Sequence, residues 1–144
     1  MFSLQQTLLG RRLFDRRIYL FVFAIVGLFV FDAIAVHFSW YWTYQWLDIP
    51  VHIVAGLLVS LLMYYLVFAN SWTARRLAVV PGRQEIFSAM VFWVLVIAIS
   101  WEIVEFIGGR TYLSPKFATD LFVDIVVTCV GALVGYTLIT RFRT

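Results

Sequence analysis

Apolar residues in this chain fall into four long runs, over 18–37, 48–68, 85–107 and 119–140, separated by short polar or aromatic stretches. Each run is close to the ~20 residues that a helix needs to cross the hydrocarbon of a bilayer. The pattern predicts an all-α membrane protein, a bundle of four transmembrane helices forming one integral membrane domain over 1–144. Ahead of the first run, Leu4, Leu8, Leu9, Leu13 and Phe14 are interleaved with Arg11, Arg12, Arg16 and Arg17. That mixture reads as a short interfacial helix lying on the membrane surface, apolar side down. Ala33-Ile34-Ala35 has the small-x-small form of a signal-peptidase site, but Asp32 borders it and bulky aromatics follow, so the first run reads as an anchor.

The connections carry their own signals. Residues 38–46 contain Trp40, Tyr41, Trp42, Tyr44 and Trp46, rings that favour the headgroup level, and are expected to form an interfacial loop. Pro50 is tolerated near a helix start, where no intrahelical donor is needed. Pro81-Gly82 marks a turn, and Gly108-Gly109 closes the third run. Gly56 reads as a packing position, and Gly131 and Gly135 form a small-x-x-x-small pair that lets helices approach closely.

Composition strengthens the membrane reading. The chain is 63% hydrophobic and 13% charged, against about 45–50% and about 25% in an ordinary soluble domain. With 144 residues and four spans, no separate soluble domain fits. Cys129 is the single cysteine, so no intrachain disulfide forms. Arg11, Arg12, Arg16, Arg17, Arg75, Arg76, Arg83, Arg141 and Arg143 fall on one side of the predicted spans, and only Arg110 and Lys116 on the other. The positive-inside rule then puts both termini in the cytoplasm. There is no phosphate-binding glycine loop, nucleophilic-serine motif or nucleotide fingerprint. Nucleic acid is not an expected partner, because the basic residues flank spans and do not form a soluble face.

The acidic residues take the opposite side. Asp32, Asp48, Glu102, Glu105, Asp120 and Asp124 all fall in the predicted outer half, as do His37 and His52. Asp48 and His52 are four apart, Glu102 and Glu105 three, Asp120 and Asp124 four, and such pairs share a helix face. At ~1.5 Å rise per residue, His52, Glu102, Asp124 and Asp32 lie about one to two turns deeper than Asp48, Glu105 and Asp120. One inner layer and one outer layer are therefore expected. A charge within a span costs ~2.5–3.5 kcal/mol on insertion scales, and such groups face the bundle interior and mark function. Bound cations, shared protons, or Arg110 and Lys116 folding back would offset the surplus negative charge. Structural roles stay open beside this one. Asp48 fits an N-cap, Asp120 a favourable first-turn anion, Glu105 a partner for Arg110, Asp32 a partner for His52, and His37 an interfacial residue. Glu102 lies near a helix C-terminus, where the dipole disfavours an anion, and Asp124 is a full turn inside its helix.

Asp48-x-x-x-His52-x-x-x-Gly56, Trp101-Glu102-x-x-Glu105 and Asp120-x-x-x-Asp124, followed by Gly131-Ala132-x-x-Gly135, together resemble the VanZ-like and YjdF-like family of bacterial inner-membrane proteins. The resemblance covers roughly 48–136 and does not include Asp32. It implies a compact helical multi-pass protein of the cell (inner) membrane and supplies no reaction.

The expected function is an outward-facing, metal-dependent site. His52, Glu102 and Asp124 are the expected ligands, with Asp120 a further candidate and Asp32 in support; Glu105 or Asp48 would be the general base. Carboxylates with imidazole suit Mg²⁺, Mn²⁺, Ca²⁺, Zn²⁺ or non-haem iron, so the divalent metal cation is left unidentified. A metal-bound water would act on a lipid-linked or amphiphilic substrate arriving from the bilayer. The alternative is non-enzymatic: a cation- or proton-binding membrane protein, or an accessory subunit that meets a membrane protein partner through 38–46. Oligomeric state is open.

Overall fold

The computed structural model describes residues 16–69, 82–108 and 117–142. Among these the secondary structure is helical, with no strand. Helix α1 is Arg16–His37, α2 is the short Trp40–Thr43, α3 is Asp48–Tyr64, α4 is Arg83–Ile107 and α5 is Phe117–Phe142. A 3-10 turn, Gln45–Leu47, leads into α3, and a π-helical turn, Tyr65–Ala69, extends it. Four stretches are long and apolar enough to cross a membrane: Ile18–His37, Gln45–Phe68, Arg83–Ile107 and Ala118–Arg141. These coincide with the four runs in the sequence. The protein is an all-α, multi-pass membrane bundle. The expected surface helix over 1–17 lies outside the described residues, apart from its last two positions.

The aromatic stretch 38–46 is more ordered than a loop. Ser39 takes the left-handed conformation (φ 57°) and redirects the chain after α1. The Tyr44 amide then donates to the Trp40 carbonyl at 2.7 Å, which closes α2 as a single turn. Backbone groups carried toward the hydrocarbon need internal partners, and short helical turns supply them. Trp42, Tyr44 and Trp46 remain exposed, as belt residues would be. At the other end of the bundle, Glu85 caps α4: its carboxylate accepts from the Gly82 amide at 2.7 Å.

Packing is uneven around the bundle. Helices α3 and α5 are in backbone contact, because glycine occupies each crossing position. Gly56 meets the Thr128 carbonyl, Gly131 the Ile53 carbonyl, and Gly135 the Ser60 hydroxyl, and in each case a Cβ would collide. Small residues at a crossing allow close approach and dispersion contact where lipid removes the usual hydrophobic drive. Helix α4 packs across both α3 and α5, whereas α1 rests mainly on α3. At the end where α4 begins and α5 finishes, Ile86, Met90 and Ile139 form a closed apolar core with Leu61, Tyr64, Phe68 and Tyr136 around it. Large apolar side chains such as Phe23, Phe92, Ile107 and Phe122 point outward on α1, α4 and α5, as hydrocarbon-facing surfaces require.

Candidate metal centre

The bundle's other end is polar inside. Asp32 lies in the last two turns of α1, His52 lies in the second turn of α3, Glu102 lies near the end of α4, and Asp124 lies about two turns into α5. All four are buried, at 7%, 7%, 5% and 6% exposure. Asp48 and Glu105 are half-buried and Asp120 is exposed. Burial thus follows depth along the four helices, and His37, at the end of α1, is exposed against the ring of Phe38.

His52 is at the centre. Its Nε2 is 3.5 Å from Asp48 Oδ1, on the preceding turn of the same helix, and 3.8 Å from Asp124 Oδ1 on α5. Its Nδ1 is 3.2 Å from the Thr128 hydroxyl. That hydroxyl is already committed, since it donates to the Asp124 backbone carbonyl at 2.7 Å and a carbonyl can only accept. The Thr128 oxygen is therefore the acceptor toward His52, and Nδ1 carries the proton. In the neutral imidazole this leaves the Nε2 lone pair facing the two carboxylates.

Ligand atoms of Asp48, His52 and Asp124 all lie within 4.8 Å of one another, close enough to bind one metal ion. Two ligands ~2.1 Å from one ion and ~110–130° apart stand ~3.4–3.8 Å from each other, and the two His52 distances match that span. Glu102, expected as a ligand, stands outside this group but within electrostatic reach of His52, Asp48, Glu105 and Asp120. Among the described residues it has no hydrogen-bond or ion-pair partner. Asp120, the further candidate, is also outside. Asp48, expected as a general base, is inside.

Two participants were not anticipated. Thr128 fixes the His52 tautomer; it sits four residues after Asp124, so the same-face spacing that singled out the carboxylates also reaches it. Tyr41 donates to Asp32 Oδ1 at 2.9 Å. Burial, followed by the hydrogen bond and charge of Asp32, pushes the Tyr41 phenol well above its ordinary pKa, so it remains a donor. Its signal in the sequence was hidden among the belt aromatics. No family model, curated protein or solved structure matches this chain.

Proposed function

We propose that this membrane protein binds a divalent cation through Asp48, His52 and Asp124, at a centre buried between α3 and α5. The observation that carries the reading is the hydrogen-bond chain from Asp124 carbonyl through Thr128 to His52 Nδ1. It commits one imidazole nitrogen and turns the other, with its lone pair, toward two carboxylates. Orientation of a ligating histidine by a second hydrogen bond is a recurrent feature of metal sites. The buried negative charge supports the same conclusion. Among the described residues, the only basic group within ion-pair distance of Asp48 and Asp124 is His52, which as a neutral ligand carries no charge, and Glu102 adds a further buried carboxylate. Uncompensated charge at this depth is costly, and a divalent ion would offset it.

The donor set favours a first-row ion such as Zn²⁺ or Fe²⁺, because imidazole suits these better than Mg²⁺ or Ca²⁺. Three protein ligands leave coordination positions open, and an ion so held acts as a Lewis acid toward whatever reaches it. Glu102 and Glu105 would supply nearby carboxylates to hold water or accept a proton. The arginine distribution supports placing this end of the bundle away from the cytoplasm. The test is elemental analysis of gently purified protein beside His52→Ala and Asp124→Asn. About one equivalent of metal, lost in both variants, is the expected result. Metal-free wild type, with both variants as stable as the parent, would sink the proposal.

A further inference from the structure

A cavity of about 290 Å³ runs beside the candidate metal centre, between α1, α3 and α4. Its mouth is polar, lined by Asp32, Asp48, His52 and Glu105. Its depth is aliphatic. On α3 the wall continues to Leu62, and the distance from Asp48 to Leu62 is about 21 Å at ~1.5 Å per residue. On α1 the lining residues Ile25, Leu28, Phe29 and Asp32 follow i, i+3, i+4, i+7 spacing, so one face of that helix is turned inward. Val94, Ile97, Ala98 and Trp101 repeat the spacing on α4. Because α1 packs mainly on α3, it makes little backbone contact with α4, and a seam is left between the two. Phe29 and Trp101 bridge that seam edge-to-face, with ring centroids 5.3 Å apart.

We propose that this cavity holds one aliphatic chain of a phosphate-headed membrane lipid, admitted between α1 and α4, with its head on the cation at the mouth. The inference rests on the cation site proposed above. Three observations carry it. The volume is on the order of one chain: at ~30 Å³ per water-sized group, it takes about ten methylenes. Phe29 is half exposed at the seam, and such a face on a membrane-spanning helix meets hydrocarbon, so the chain would arrive from the lipid and the Phe29–Trp101 pair is what it must part. Asp48 and His52 belong both to the cavity lining and to the ligand group, so a head at the mouth meets the open coordination positions of the ion. Without the ion, Asp32, Asp48 and Glu105 would repel a phosphate; with it, phosphate oxygen becomes the matching donor.

The test uses the full chain in phosphatidylcholine nanodiscs and dodecyl phosphate bearing a photoreactive diazirine at the chain end. The same chain on a trimethylammonium head serves as comparison. Crosslinks should map to the inner walls of α3 and α4, around Leu58, Leu62 and Val94. They should fall about tenfold or more in Ala55→Phe and in Ala98→Leu, while the metal content of both variants stays at the parent value. Leu133→Phe, on the exposed face of α5, should change nothing. Chelation or His52→Ala should abolish the preference for the phosphate head. Labelling spread over the outward faces of all four helices, or unchanged in both cavity-filling variants, would overturn the chain-binding cavity even if the metal is present. Cavity labelling that is indifferent to headgroup and chelator would refute the cation-bridged head and point to failure of the metal reading itself.

Discussion

Replacing Gly56 by alanine tests whether the α3–α5 crossing builds the site. The new Cβ would run into the backbone carbonyl of Thr128, with the Ala132 amide also close at 3.2 Å. Neither obstacle can rotate away, so the helices must part. An ordinary carbon contact needs ~3.5–4.0 Å, which demands a separation of roughly 1.5–2 Å. His52 lies one turn before Gly56, and its 3.2 Å bond to Thr128 sits near the long end of the hydrogen-bond range. A shift of that size breaks it. Overpacking costs about 1–3 kcal/mol, and the lost hydrogen bond adds about 0.5–1.5 kcal/mol. The expected result is a less stable protein whose cation affinity falls at least tenfold. Gly27→Ala is the control, because nothing lies within 4 Å of its added Cβ. That change should be neutral or stabilising by up to ~1 kcal/mol through helix propensity. Unfolding in a defined detergent, alongside metal titration, gives both readouts. Equal behaviour of the two variants would refute the claim that the glycine crossing positions His52.

Other substitutions probe separate links. Thr128→Val keeps the shape but removes the acceptor for His52 Nδ1, so metal affinity should drop about 10–100-fold; an unchanged affinity in a titration would show that the tautomer is set otherwise. Tyr41→Phe takes away one donor to Asp32 and should cost about 0.5–1.5 kcal/mol in detergent unfolding, the net worth of one hydrogen bond, whereas Tyr44→Phe, at an exposed ring, should be silent. Met90→Ala, in the apolar core at the opposite end, should destabilise by about 2–5 kcal/mol while leaving metal stoichiometry intact. In a Cys129→Ala background, a cysteine at exposed Trp42 should react with a membrane-impermeant maleimide added outside intact cells. Reaction only after the cytoplasmic face is opened would reverse the orientation.

The sequence alone determined the four spans, because hydrocarbon demands a fixed length of apolar helix and the interruptions are short. It also determined the two layers of polar side chains, since depth follows from residue number at constant rise and same-face spacing follows from helix geometry. The buried set Asp32, His52, Glu102 and Asp124 could be named on those grounds. Gly56, Gly131 and Gly135 were legible as packing positions, yet nothing in their spacing says which helix each one meets. Only the tertiary structure decided that α3 crosses α5 at all three, which brings Asp48, His52 and Asp124 within ligand distance of one another and leaves Glu102 and Asp120 aside. It alone revealed Thr128 and Tyr41, whose partners are 76 and 9 residues away. The reason is physical: a helix fixes neighbours within a turn, but the lateral register between helices is set by side-chain volumes at crossings that lie far apart in sequence. The same register left α1 packed on α3, and with it the cavity that no single helix encodes.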